Sequence, residues 1–360
     1  LAPMTIVRAD CYAYALPLRS PLSLGAHTLT ERTGGLLRLE AENGRVGWGD
    51  AAPLPGFSAE TPADALTALA DAVPSLPGTT LPAEQEGGPG VEEASHGPAS
   101  VRFAVEAART ELRARGGAAT LGERRRDVVT LNALITDDQD DLRAAGRRLR
   151  TDGFRAVKLK VGRRSVERDV DRVRTLADVL GREVALRLDA NRAWSLDEGI
   201  AFAEAVADVP LAYVEEPLAE PERLGRLVER TGLSVALDET TRERSPEEGA
   251  PSTPVTAVVL KPTLLGGLAP TLRWVRWARS VGASPVISSS YESGVGTRLL
   301  VRLAAGCSNT PAGLSAHMRL KDDVLRPRLA LNGPTVGVEE AQEGRVDRSR
   351  LTLVESSTTN

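Results

Sequence analysis

At 360 residues and 38.2 kDa, the chain has room for two domains or for one large barrel with an appendage. Its 45 basic and 49 acidic residues give a net charge of −4, which excludes the basic footprint of a nucleic-acid binder. No apolar run reaches membrane-spanning length, and the N-terminus lacks the order of an export signal. Two cysteines, Cys11 and Cys307, are too few for a disulfide framework, so a reducing cytoplasm is the expected setting.

In chain order, residues 6–16 and 33–41 read as strands, and 44–50 (GRVGWGD) as a hairpin return. Residues 62–73 are Ala-rich and helical. Residues 81–98, rich in Gly, Pro and Glu, read as a mobile connection. Residues 100–115 have helical periodicity, with Ser100 expected as the cap. From residue 128, short apolar strands alternate with amphipathic helices. Strands are expected at 128–135, 156–161, 185–189, 212–215, 234–237, 257–260 and 285–289. Helices are expected at 140–151, 166–180, 196–206 and 268–281, with a weaker one at 221–230. Such alternation implies parallel pairing, and so many units at this length favour a closed β/α barrel. After residue 325 the alternation stops, and the tail, including 345–354, is expected to return to the N-terminal part.

Of the 45 basic residues only four are lysines: Lys158, Lys160, Lys261 and Lys321. A lysine kept against that bias suggests work arginine cannot do, because only lysine becomes a base once its pKa is lowered. Polar residues also recur at expected strand ends: Lys158 and Lys160 in VKLKVG, Asp189 in LRLD, Glu215 and Glu216 in YVEEP, Asp238 and Glu239 in ALDE, Lys261 in VVLK, and Ser288–Ser290 in VISSS. From Lys160 to Ser288 they return every 23 to 29 residues. One βα unit has about that length, so the period gathers these groups at one rim of the barrel.

Three carboxylates from consecutive strands, Asp189, Glu215 and Asp238, need a cation, and all-oxygen donors suit Mg²⁺ or a similar hard ion. Zinc is disfavoured because His27, His96 and His317 are dispersed. With an amine on each side, such a metal suits removal of a proton α to a carboxylate. Its charge would also help to lower a lysine pKa. Each piece has a plainer reading: a lone strand-end Asp or Glu is often a helix cap, Glu216 before Pro217 is structural, and the pair Gly266–Gly267 is weak evidence for a phosphate cradle. The joint register is far more specific than any member.

VKLKVG, LRLDANRAW, YVEEP, ALDE and VVLKPTLLGG, in this order, resemble the enolase superfamily in its muconate-cycloisomerase-like branch. The resemblance covers nearly the whole chain. It implies an α/β fold, a modified TIM barrel of (β/α)7β type with an α+β capping domain. The expected divisions are a capping domain at 1–115, a barrel at 127–325 and a returning segment at 326–360. It also implies Mg²⁺, with Mn²⁺ as a substitute, on Asp189, Glu215 and Asp238, and Lys160 and Lys261 as the acid/base pair. GWGDAAPLPGFSAET, VISSSYESGVG and AGLSAHMRL resemble members of that branch that dehydrate a succinyl-bearing cyclohexadiene carboxylic acid in menaquinone biosynthesis. On that resemblance Lys160 takes the α-proton and assists loss of the hydroxyl, while Lys261 stabilises the enediolate by its charge. Lys158, Arg187 and Asn191 support substrate and base, and Glu239 supports the site. Ser288, Ser290 and the backbone near Gly313 hold the succinyl group. Pro53 and Phe57 belong to a capping loop, as does part of 18–33. The implied partner is a small-molecule substrate, with no nucleic acid and no membrane; an oligomer is left open.

Other readings compete. Dipeptide epimerases hold the substrate amine with an Asp-x-Asp pair where this chain has SSSYESG. N-succinylamino acid racemases share the barrel residues. Muconate cycloisomerase is disfavoured by PLPGFSAET. A metal-binding barrel without catalysis would lack part of the lysine or carboxylate set, and none is missing.

Overall fold

The computed structural model describes residues 3–24, 27–82, 97–114, 121, 126–136, 141–248 and 254–359. Strands β1 (Met4–Leu24) and β2 (His27–Ala41) form one long antiparallel hairpin, and β3 (Val46–Ala51) pairs with β2. Along 14–18 buried and exposed residues alternate strictly, the pattern of a sheet with one covered face. Helix α1 (Pro62–Ala72) is fixed at its start by Thr61 and Asp64, which cap each other's backbone. Helix α2 (Ala99–Arg113) lies directly on β3. Gly47 and Gly49 permit this approach, since a Cβ on Gly49 would stand 1.8 Å from the Ala104 carbonyl oxygen.

Two expectations change here. Part of the segment 18–33 is expected as a capping loop, but its described residues belong to the far end of the hairpin. The pairing slips between Pro17 and Leu22, where two prolines lack ladder donors, and resumes at Leu22–Leu29. Ser100 does not cap α2: the helix begins one residue earlier, and Ser100 is buried inside its first turn. Its amide and hydroxyl both donate to Glu60 Oε1, at 2.9 and 2.7 Å, so a glutamate from the loop before α1 takes over the capping work. Most of the expected connection at 81–98 lies outside the described residues, as do residues 115 and 140 of the two expected helices.

The remaining chain builds the barrel. Parallel strands β4 (Ala133–Ile135), β5 (Ala156–Lys160), β6 (Ala185–Asp189), β7 (Leu211–Glu215), β8 (Val235–Leu237), β9 (Ala257–Leu260) and β10 (Ser284–Ile287) follow one another in chain order in a single sheet. Helices α3 (Leu142–Thr151), α4 (Val166–Leu180), α5 (Leu196–Ala205), α6 (Leu224–Thr231) and α7 (Leu268–Ser280) lie between strands, and α8 (Gly294–Cys307) follows the last. A very short eighth strand closes the ring. Ala312 N donates to Thr130 O and Gly313 N to Ile287 O, both at 2.8 Å, joining the two sheet edges. The expected strand at 128–135 is two pieces. Its first half, Val128–Thr130, pairs antiparallel with Thr335–Gly337, and only the second enters the barrel. The last strand, β11 (Thr352–Thr358), runs antiparallel to β1, so the end of the chain joins the sheet formed by its beginning. Among the described residues no helix is long and apolar enough to cross a membrane.

Candidate active site

In a strand, residues two apart share a face, and at the barrel rim that face is the interior. Lys158 and Lys160 on β5 therefore both point inward, as do Arg187 and Asp189 on β6. Strand register places Lys160 beside Asp189 and Asp189 beside Glu215, while Asp238 follows β8 directly. Lys261 follows β9, so the three carboxylate-bearing strands stand between the two outer lysines.

All three carboxylates are almost fully buried, and lysines interleave with them. Lys158 Nζ lies 3.0 Å from Asp189 Oδ2 and 3.1 Å from Glu215 Oε2. Lys160 Nζ lies 3.0 Å from Asp189 Oδ2 and donates to Asn191 Oδ1 at 2.6 Å. Lys261 pairs with Asp238. Burial disfavours every one of these charges, and the neighbours decide the outcome. The Lys158 pKa is raised well above its ordinary value because Asp189, Glu215 and Asp238 outweigh its desolvation. Burial opposes the Lys261 charge too, yet Asp238 lifts its pKa. Asp189 is held low by three lysines against its burial, and Glu215 is pushed up by burial and by its two acidic neighbours despite Lys158.

Among the described residues no three Asp, Glu, His or Cys side chains converge on one point as they stand, because ammonium groups lie between the carboxylates. The donor chemistry fits a hard divalent cation all the same. Three buried carboxylates from consecutive strand ends supply oxygen donors.

Around this floor lies a cavity of about 830 Å³. Of the expected residues, Lys158, Lys160, Asp189, Asn191, Glu239, Lys261, Ser288, Gly313 and Phe57 line it. Glu215 and Asp238 lie beneath, against the lysines. Three others stand back from the cavity wall. Arg187 is one layer down: it donates to Asn132 Oδ1 at 3.0 Å and Pro311 O at 2.8 Å and lies over the Tyr213 ring. Ser290 is buried behind Ser288 and Ser289, with its amide on Glu292. Pro53 turns its carbonyl toward Arg32, while Leu54, Gly56 and Phe57 face the cavity. Ser288 hydroxyl donates to Gly313 O at 3.2 Å, and a Cβ at Gly313 would crowd that hydroxyl at 2.7 Å.

Glu239 braces Asn191: its Oε1 accepts from Asn191 Nδ2 at 3.1 Å. Glu216 is structural as expected, accepting from the Asp238 and Thr240 amides and from Arg192. The Gly266–Gly267 turn holds no phosphate cradle. The carboxylate of Glu106 on α2 takes that place, accepting from the Leu268 and Ala269 amides at the start of α7 at 2.5 and 3.1 Å. The sequence reading missed the cavity residues His27, Arg163, Arg242, Tyr291 and Arg319. They come from the hairpin end, from loops and from the short helical turns 240–243 and 315–319, where no strand period marks them. His27, one of three histidines, and Tyr291, one of four tyrosines, carried a compositional signal.

A closed β/α barrel with three strand-end carboxylates, flanking lysines and an α+β cap is the architecture of the enolase superfamily. The comparisons agree. Residues 140–344 match the family described as "Enolase C-terminal domain-like", and residues 6–112 match "MenC, N-terminal domain". The o-succinylbenzoate synthase of Yersinia pestis (strain Pestoides F) is 34% identical over 89% of this chain and 93% of its own length. That of Edwardsiella ictaluri is 32% identical over 92% and 96%. Solved structures share the fold. An N-succinyl Arg/Lys racemase from Bacillus cereus gives a TM-score of 0.78 at 18% identity over 98% of this chain and 100% of that one. A dipeptide epimerase from Enterococcus faecalis, complexed with Mg and a dipeptide, gives 0.78 at 21% identity over 93% and 97%. The chain belongs to the o-succinylbenzoate synthase family.

Proposed function

We propose that this chain is a lyase, an o-succinylbenzoate synthase, that dehydrates 2-succinyl-6-hydroxy-2,4-cyclohexadiene-1-carboxylate to 2-succinylbenzoate in menaquinone biosynthesis. The observation that carries the reading is the row of three buried strand-end carboxylates, with Lys160 on one side and Lys261 on the other, at the floor of a cavity with an apolar lid. Lys160 removes the proton from the ring carbon that bears the carboxylate; Asn191 and Asp189 hold its amine in place. The same amine returns that proton to the departing hydroxyl on the neighbouring carbon. The C–O bond breaks, the new double bond completes the aromatic ring, and water leaves. Lys261, across the floor, contributes positive charge near the carboxylate as it gains electron density.

A divalent cation, Mg²⁺ with Mn²⁺ as a substitute, would be held by Asp189, Glu215 and Asp238 and would supply further positive charge to the substrate carboxylate. Leu54 and Phe57, from the capping loop, with Leu22 and Leu24 from the hairpin end, exclude water from the reacting carbon. Ser288 and Gly313 hold the succinyl end, while Arg187, Ser290 and Pro53 act by supporting the residues in front of them. The division into a cap (1–115), a barrel (127–325) and a returning segment (326–360) and a cytoplasmic setting belong to the same reading.

The test is an ultraviolet assay for the aromatic product with the cyclohexadiene substrate, run beside racemisation of an N-succinylamino acid. Aromatic product that disappears in chelator and returns with Mg²⁺ supports the reading. Racemisation without aromatic product would replace it.

A further inference from the structure

Arg32 on β2 is 1% exposed, among the largest fully buried side chains of the protein. A buried guanidinium needs its donors satisfied and its charge offset. Arg32 Nη1 donates to Pro53 O and Nη2 to Ala52 O, both at 3.0 Å. Nη2 also reaches Ser290 O at 3.4 Å, and Nε reaches Tyr291 O at 3.3 Å. All four acceptors are backbone carbonyls. Two belong to the segment that leads into the capping loop, and two to the rim after β10. Glu292, next in the chain, lies close enough for its charge to offset that of the guanidinium.

The residues beyond these carbonyls form two facing walls of the cavity: Leu54, Gly56 and Phe57 on the cap side, Ser288, Ser289 and Tyr291 on the barrel side. Tyr291 holds a φ of +63°, which a residue with a side chain keeps only when its surroundings enforce it. The planar fork of arginine is suited to spanning several fixed acceptors at once, while a lysine ammonium is a single point on a flexible stem.

We propose that Arg32 is a positioning residue for the dehydration proposed above: it holds the capping loop and the rim after β10 at a fixed separation and so sets the fit of the cavity to its substrate. It touches no reacting atom. Its contribution is the relative placement of Phe57 on one wall and of Ser288 and Tyr291 on the other.

The test uses the full chain carrying Arg32→Lys or Arg32→Ala, with backbone amide hydrogen exchange and steady-state kinetics. Phe57 and Ser58 amides donate to Leu54 O, the Ser290 amide to Glu292, and the Ser288 amide to Leu260 O. In Arg32→Lys the first three amides should exchange at least about ten-fold faster, the equivalent of about 1.4 kcal/mol for one lost charge-assisted hydrogen bond. The Ser288 amide, held by Leu260 O at the end of β9, should exchange at an unchanged rate. KM should rise by a larger factor than kcat falls, and added guanidinium ion should partly restore KM in Arg32→Ala. If Arg32→Ala fails to fold, Arg32→Lys decides the question. Unchanged exchange at Phe57 and Ser58, or faster exchange with an unchanged KM, would overturn the proposal. A wild-type chain without turnover would overturn the dehydratase reading instead, leaving the exchange result to decide the role of Arg32.

Discussion

Arginine and lysine carry the same charge at neutral pH, yet only lysine readily gives up a proton. Three of this chain's four lysines face the cavity, and the fourth, Lys321, is exposed. The bias was legible because the chain otherwise uses arginine. The supporting residues were less legible: Arg187, Ser290 and Pro53 share strand ends and loops with cavity residues, but the pleat and local turns set them one layer back. In the proposed dehydration Lys160 must lose and regain a proton, whereas Lys261 need only stay charged. Lys160→Arg should therefore be as inactive as Lys160→Ala, while Lys261→Arg should retain more turnover than Lys261→Ala. A racemase would lose both arginine variants equally, and an active Lys160→Arg with an inactive Lys261→Arg would reverse the roles. Asp50 offers a separate test on stability. Burial raises its pKa to about 6, against hydrogen bonds from Ser293 and Tyr14. The folded chain thus keeps a proton that the unfolded chain releases near pH 3.8. The resulting stabilisation is full below that pH and is lost as pH rises through about 6, on the order of 3 kcal/mol. Denaturant unfolding across this window should show that loss in the wild type, and the Asp50→Asn variant should lack it. Parallel pH curves for the two proteins would refute the assignment.

Whole elements were read more securely where apolar periodicity was long. Strands 156–160, 185–189 and 257–260 and helices 166–180 and 268–280 stand within a residue of expectation. Helix α8 escaped the reading, although all of Gly294–Cys307 is buried. A helix buried all round has no polar face to reveal a period, and Gly294, Gly296 and Gly306 argue against a helix by propensity. Its cap, Ser293, was the available signal. The hairpin end escaped for another reason: Pro17 and Pro21 break the ladder, and pairing resumes only beyond them. Close packing of α2 on β3 yields a prediction independent of the chemistry. A methyl at Gly49 would fall inside the Ala104 carbonyl, so α2 must shift off the sheet. Gly49→Ala should cost about 3 kcal/mol in denaturant unfolding, the upper range for overpacking. Gly44→Ala meets no atom within 4 Å and should cost only the left-handed backbone at φ +78°, about 1 kcal/mol. Equal costs for the two would show that helix and strand have room to separate.

The molecule is stitched at two places that alternation alone does not announce. Ala312 and Gly313 close the barrel, and β11 ties the end of the chain to β1. The closing pairs at Ala312 and Gly313 are too short to carry a periodicity, so closure followed from the count of βα units and the return of the tail from the end of their alternation. Closure brings Lys158, Lys160 and Lys261 against Asp189, Glu215 and Asp238, three cations against three anions. A divalent cation bound to these carboxylates would add two positive charges to this buried set. A substrate or product with two carboxylates brings two negative ones. Each should therefore bind better in the presence of the other, and linkage makes the effect reciprocal. Thermal unfolding checks this with four samples: protein alone, with Mg²⁺, with 2-succinylbenzoate, and with both. Either ligand alone at about a hundred times its dissociation constant stabilises by about 2.7 kcal/mol. Together they should exceed the sum of the separate shifts, and the excess should shrink in Glu215→Gln, which removes one anion from beneath the cavity. Shifts that merely add would mean that the cation and the dicarboxylate do not share one electrostatic site.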